Sequence, residues 1–388
     1  MGIFWASFWI GLILALASAS GCLSKQRSSE YLLPKPEIKL EQKGGKVLAW
    51  PSHSAGLKET NNIGASLLEL HSHGLLLPAY SDSAQICYVI QGRATSGLID
   101  PNGKPTNVRY VRAGDVVLVL PGWPFWLWNT ANFQTKALCV LDTATGVNPG
   151  SYKPFFLAGS KGNDTGGILH GFSRDILAHA WDVDEDHVER VLAAKEMDFI
   201  IKVKPEPRSH FSFDGSADFG EFTFNMQTAR ADAIERGGWL TFLNENKLPN
   251  LHEVDLGASL VKLNPGSLFS PQWLTNADQL VYVLKGRGKV EIARPRGKEA
   301  FSEQVEEGDM FVVPKLAPYV IVASDDNPFE WISFYTSSES RSMFLAGSES
   351  VFRSIPLDIL AASFNVSSEI LSKIESQRVN GRYILKFP

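Results

Sequence analysis

His71-Ser72-His73 has the residue types and spacing of half a metal site in a chain of 388 residues. Histidines two apart on a strand face the same way, and neutral imidazole suits zinc, copper, iron and nickel. A pair fills only half of a tetrahedral shell. Five residues past His73 stands Pro78, not a carboxylate, and no further histidine comes before His170. The pair therefore reads as two loop histidines, the other reading being adventitious metal or a ligand shared between subunits. His179 and His187 fall in a helical stretch, and His252 precedes the second half of the chain. No Ser-His-Asp arrangement, phosphate loop or Cys-x-x-Cys is visible. Trp123, Phe125, Trp126 and Trp128 form a cluster with two readings, a barrel core or subunit contact on one side and an apolar ligand pocket on the other.

Bulk properties narrow the setting. The length suits two domains, and 44% hydrophobic with 20% charged residues is globular. A net charge of −5 with scattered Lys and Arg argues against nucleic-acid partners. Ile3 to Ala19 is almost wholly apolar and ends in Ala17-Ser18-Ala19. It reads as a secretory signal peptide over 1–21, with an uncleaved anchor as the alternative. The expected location is the secretory pathway, then a vacuolar storage body or the exterior, with no stable membrane association after signal removal. Cys22 sits at the signal junction, while Cys87 and Cys139 lie in apolar strand-like runs. Each of the latter two reads as a small buried hydrophobe, and no disulfide framework is implied. Asn163 and Asn365 head glycosylation sequons, meaningful only in a secreted chain.

The elements that would position any chemistry occur twice. Ile63–Leu70, "IGASLLEL", returns as Leu256–Leu263, "LGASLVKL". "QICYVIQGR" from Gln85 returns as "QLVYVLKGR" from Gln279. Gly114-Asp115 returns as Gly308-Asp309, Phe156–Ser160 as Phe344–Ser348, and Asp175–Ala178 as Asp358–Ala361. Five matches in one order are a duplication. Each half carries short apolar, β-branched and aromatic runs broken by Gly, Pro, Asn and Asp, the pattern of an antiparallel sandwich or barrel. Each then ends in an amphipathic helical stretch with a break in its middle, Asp175 to Lys195 in the first half and Asp358 to Gln377 in the second. The expected architecture is all-β with helical hairpins: a barrel plus hairpin over 37–200, a linker over 201–235 and a second barrel plus hairpin over 236–388.

The paired "YV-x-x-G" and "G-D"–strand–Pro stretches resemble a cupin barrel. "SPQWLTNADQLVYVLKGRGKVEI", "EEGDMFVVPKLAPYVIVAS" and the closing "ILKFP" resemble the C-terminal barrel of legumin-type seed storage globulins. "LPAYSDSAQICYVIQGRATSGLI" and "GFSRDILAHAWDVDEDHVERVL" resemble the glutelin-type, legumin-like bicupins. The resemblance implies two jelly-roll barrels, self-association into a homotrimer through the helical hairpins, and a nutrient reservoir rather than an enzyme. The long acidic insertion between the halves is missing, Asn-Gly occurs only at Asn102 and Asn380, and no Cys lies beyond Cys139 to tie the halves.

Cupin enzymes hold a metal with three histidines and a carboxylate. Counting back from Gly92, the resemblance puts those positions at Pro78, Tyr80 and Gln85, with the last at Phe125 or Trp126. In the second half they fall at Pro271 or Gln272, Trp273 or Leu274, Gln279, and around Pro318-Tyr319. None is a usual ligand, so no metal, cofactor or catalytic residue is expected. The alternatives are a bicupin that binds a small apolar or sugar ligand, and a cupin enzyme.

Overall fold

The structure is a computed structural model that describes residues 30–50, 55–58, 60, 63–101, 107–159, 167–193, 198–203, 221–294, 300–377 and 380–386. The signal stretch 1–21, Cys22 and Asn163 lie outside the described residues.

The first half contributes β1 (Glu37–Gln42), β2 (Gly45–Ala49), β3 (Ile63–Leu70), β4 (Gly74–Ser81), β5 (Ala84–Gln91), β6 (Arg93–Leu98), β7 (Asn107–Arg112), β8 (Asp115–Val119), β9 (Phe125–Trp128), β10 (Thr135–Asp142) and β11 (Pro154–Phe156), with a short helix α1 (Ala55–Lys58). The hairpin α2 (Arg174–Trp181) and α3 (Glu185–Leu192) follows, then β12 (Ile200–Lys202) and β13 (Thr223–Asn225). Two antiparallel sheets result, ordered β1-β2-β3-β10-β5-β8-β13 and β11-β4-β9-β6-β7, with β12 on β4. Facing sheets of this kind bury alternate residues between them.

The second half repeats the plan with β14 (Ala233–Glu235), β15 (Gly238–Leu243), β16 (Gly257–Leu263), β17 (Ser267–Leu274), β18 (Gln279–Lys285), β19 (Arg287–Ile292), β20 (Phe301–Glu306), β21 (Met310–Val313), β22 (Tyr319–Ala323), β23 (Phe329–Tyr335) and β24 (Ser342–Phe344). The hairpin α4 (Leu357–Phe364) and α5 (Ser368–Ser376) and a last strand, β25 (Ile384–Lys386), close the chain. Its sheets run β14-β15-β16-β23-β18-β21 and β20-β19-β22-β17-β24, with β25 on β17. The all-β, two-barrel expectation with a helical hairpin after each barrel is what the structure holds.

The repeated motifs have local causes. Gly92 and its counterpart Gly286 turn at φ 87° and 84°. A Cβ there would meet Gln134 O at 2.6 Å or Pro328 O at 2.2 Å, so only glycine fits. In the "G-D" turns, Asp115 Oδ2 accepts from Arg112 N at 2.7 Å and Asp309 Oδ2 from Glu306 N at 2.9 Å. The carboxylate satisfies a turn amide that would otherwise lack a partner.

The stretch read as a linker contributes strands. Lys202 ends β12 on the first barrel, β13 lies along β8, and β14 pairs β15 in the second barrel. Residues 204–220 are outside the described set. A matching addition comes from the other end of the chain. Leu33 N donates to Met310 O at 2.8 Å and Val312 N to Tyr31 O at 2.9 Å, laying 31–33 along β21. The strand edges β8 and β21 are thus each covered by the segment that precedes the opposite barrel, which leaves neither row of backbone groups open to stray pairing. Between the barrels one continuous core joins Leu33, Trp50, Tyr88, Leu251, Tyr282 and Phe334. In it Trp50 meets Tyr282 edge-on at 6.1 Å, and Gln227 Nε2 donates to the Tyr88 hydroxyl at 3.2 Å.

Both hairpins turn at a left-handed residue, Asp182 (φ 54°) and Asn365 (φ 52°), types that tolerate that region. Each buries a narrow face: Leu177, Ala178 and Val188 in the first, Leu360 and Leu371 in the second. Ile176, Trp181 and Val191, and Ile359, Phe364, Ile370 and Ile374, stand exposed.

Candidate functional site

His71 and His73 lie in the turn between β3 and β4, where His73 adopts φ 62°. Their carbonyls, not their rings, hold the turn: Gly74 N and Asn129 Nδ2 donate to His71 O, and Val203 N to His73 O. Among the described residues no three His, Cys, Asp or Glu side chains stand close enough to share a metal ion.

The positions counted back from Gly92 surround the interior of the first barrel. Tyr80, Gln85 and Phe125 line an internal cavity of about 400 Å³, whereas Pro78 does not. A register shift between Leu76 and Ala79 in the β4–β9 pairing accounts for this, because it moves Ala79 opposite Phe125 and takes Pro78 off the inner row. Tyr80 stacks on Phe155 at 5.0 Å. Gln85 Nε2 donates to Ser81 Oγ at 3.0 Å and to the Tyr152 hydroxyl at 3.2 Å, and Ser81 Oγ donates to Ser83 O at 2.8 Å. Burial raises the Tyr152 phenol above its ordinary pKa, and the bonds to Gln85 and Ser81 partly oppose that. These side chains bond to one another and offer no imidazole or carboxylate. They do not fit the ligand set of a cupin metal centre.

The rest of the wall is mostly apolar, with Leu68, Leu76, Val89, Val117, Leu127, Ala137 and Phe156 among others, and Lys39 and Ser66 as the polar exceptions. It also holds a disulfide, Cys87–Cys139, which corrects the reading of two separate buried thiols. Cys87 on β5 pairs directly opposite Cys139 on β10. That register brings together residues 52 apart, and it cannot be read before the strand pairing is known. A signal was present, since the expectation of a secretory leader already implied an oxidising setting for two cysteines in strand-like runs.

The aromatic cluster divides. Phe125 alone of the four lines the cavity. Trp123 packs on Phe222 at 5.2 Å, Trp128 Nε1 donates to Val203 O at 3.2 Å, and Trp126 lies against Gly97, where a Cβ would come within 2.2 Å of its Nε1.

The second barrel holds the same places differently. Gln272 and Gln279 are buried, and Gln279 Nε2 donates to Ser333 Oγ at 2.8 Å. Ser259 Oγ and the Tyr335 hydroxyl bond at 2.6 Å, and burial pushes the Tyr335 phenol up to about 12. Gln272 Nε2 has no hydrogen-bond partner among the described residues. Space is taken by Trp331, flanked by Phe269 at 5.5 Å and Phe329 at 5.2 Å. Trp331 pairs with Val261 as Ala137 pairs with Leu68, and Phe311 pairs with Val281 as Val117 pairs with Cys87. Since Leu68 matches Val261 and Cys87 matches Val281 in the repeat, the first barrel is hollow where Ala137 and Val117 replace Trp331 and Phe311.

Two jelly rolls in one chain, each with glycine-aspartate turns and a degenerate ligand row, define a bicupin. The profile of the family described as Cupin matches residues 30–189 and again 224–371, and the chain belongs to that family. Its relatives are plant storage globulins. It is 28% identical to the 11S globulin seed storage protein Ana o 2.0101 of Anacardium occidentale, over 88% of this chain and 88% of that one. Identity to legumin type B of Vicia faba is 25%, over 93% and 92% of the two chains. The crystal structure of the coconut allergen cocosin superposes with a TM-score of 0.83 at 25% identity, covering 92% of this chain and 98% of that one.

Proposed function

We propose that this chain is a storage-type globulin, a non-enzymatic nutrient reservoir that travels the secretory pathway to a storage vacuole and assembles as a homotrimer. The observation that carries the reading is the full-length likeness, through both barrels and both hairpins, to seed storage globulins. The degenerate ligand rows support it, because Gln85–Ser81–Tyr152 and Gln279–Ser333 are neutral side chains bonded to one another, with no imidazole or carboxylate among them to hold a metal or move a proton. The domain reading that supports it is a barrel plus hairpin in each half, joined through 201–235. The exposed hairpin faces support assembly. Ile176, Trp181 and Val191 on one hairpin and Ile359, Ile370 and Ile374 on the other form apolar patches of a kind that monomers rarely expose. One such patch on each hairpin suits a heterologous contact between copies, which generates a ring when its rotation closes. Asn365, exposed at the α4–α5 turn, is accessible to glycosylation before assembly, and the Asn163 sequon, outside the described residues, is the other candidate.

The storage reading is tested by abundance. The protein should accumulate to a major share of total protein in maturing seed and disappear on germination, and constant low abundance would overturn it. Assembly is tested by light scattering after size exclusion. The wild-type chain should elute as three copies, and Ile370→Asp with Ile374→Asp as one.

A further inference from the structure

We propose that the hollow first barrel is a binding site for a small, neutral, mostly apolar molecule that carries one hydrogen-bond donor. A storage role does not require such a site, so the inference goes beyond the reading above. Three observations carry it. The first is the asymmetry of the duplication. The same strands in the same register fill the second barrel with Trp331 and Phe311, and leave the first open at Ala137 and Val117. The hollow is therefore not a requirement of the fold. The second is size and lining. About 400 Å³ walled mostly by Leu, Val, Ala, Phe and a disulfide lies within the range of small-molecule sites, and Lys39 is the one charged side chain in its lining. An apolar space of this kind is not well filled by water, which needs several polar partners.

The third observation sets the polarity of the guest. Polar groups gather around Gln85. Both Nε2 hydrogens of Gln85 are already taken, by Ser81 Oγ and the Tyr152 hydroxyl. What Gln85 has left to offer is its carbonyl oxygen Oε1, an acceptor. A hydroxyl or N–H on the guest satisfies it, and a carboxylate does not. The one charged residue of the wall, Lys39, already pairs with Glu37 at 2.6 Å, so a buried anion would find no countercharge. The guest class is thus a phenol, an apolar alcohol or an N–H heterocycle.

The test uses the purified full chain and three probes of one shape: 1-naphthol, 1-naphthoate and naphthalene. Calorimetry should show saturable 1-naphthol binding at one per chain, with 1-naphthoate weaker by about tenfold or more, as burial of an unpaired charge requires. Ala137→Trp, which transplants the residue of the second barrel, should abolish binding while the circular dichroism stays that of the wild type. If that variant fails to fold, Val117→Phe makes the same substitution of volume. Gln85→Leu should bring 1-naphthol down to the affinity of naphthalene and leave naphthalene unchanged. The proposal is overturned if the wild type shows no saturable binding, if a folded filled variant binds as well as the wild type, or if 1-naphthoate binds as tightly as 1-naphthol.

Discussion

Removing the Cys87–Cys139 bond should cost the first barrel about 4 kcal/mol by chain entropy alone. The bond closes a loop of 52 residues. Cross-linking such a loop removes roughly 2.1 + 1.5R ln 52, or about 14 cal/mol/K, from the unfolded chain, which is about 4 kcal/mol at 25 °C. The native state supplies no large opposing term, since β5 and β10 pair along their whole length with or without the bond. Residual structure in the unfolded chain lowers the figure, so an observed loss of about 2–4 kcal/mol is expected. The assay is urea unfolding of the wild type against Cys87→Ala/Cys139→Ala, with the wild type repeated in reductant. The double variant also loses two sulfur atoms from the cavity wall, and the reduced wild type separates that packing loss from the entropic one. Thiol counting on the denatured, unreduced wild type comes first, and should find neither Cys87 nor Cys139 free. Free Cys87 and Cys139 thiols would refute the bond itself, and a loss under about 1 kcal/mol in both comparisons would refute the chain-entropy reasoning.

Other consequences are equally open to measurement. Trp331→Ala should destabilise the second barrel by about 3 kcal/mol in urea: large-to-small core changes of this kind cost about 3–5, and loss of the buried indole N–H, which has no partner among the described residues, returns about 1. Gln272→Met should stabilise by about 1 kcal/mol or more, because it removes a buried amide donor with no partner among the described residues, and an unchanged urea midpoint would count against that. Tyr335 gives an alkaline signature. Its folded pKa of about 12 stands above the ordinary 10, so its contribution is fully present below pH 10 and is lost as pH rises through 12. Tyr335→Phe should flatten the stability curve across that window. Asp278 is raised mainly by burial, with the backbone N–H of Lys315 opposing, so the folded state favours its protonated form. Asp278→Asn should therefore raise the urea midpoint at neutral pH, with the gain vanishing at pH values below the ordinary carboxylate range.

Much of the architecture was legible because a duplication is its own alignment. The repeat located both Gly92 and Gly286 and both "G-D" turns, and each proved to have a stereochemical reason. Alternation along β9 was also legible in principle: Phe125 and Leu127 face the cavity, and Trp126 does not. What lay out of reach was pairing between segments distant in sequence. The Cys87–Cys139 register, the single-residue shift that removes Pro78 from the inner row, and the docking of 31–33 and 223–225 on foreign edges all depend on which strands meet. The hollow belongs to the same class. "ALCVL" and "WISFY" differ plainly in bulk, yet the difference becomes a cavity only once Ala137 and Trp331 occupy one place in two barrels.

The crossed edges also govern the order in which this chain completes itself during synthesis. The first barrel emerges from the ribosome with its β8 edge bare until Thr223–Asn225 follow it out. Tyr31 to Leu33 are made long before Met310 to Val312, the strand they join. Neither half finishes alone, and one backbone ladder ties Tyr31–Leu33 to Met310–Val312, far along the chain. Such contacts, distant in sequence, are slow to close. Until they close, the nascent chain carries open strand edges, the state in which a chaperone matters most.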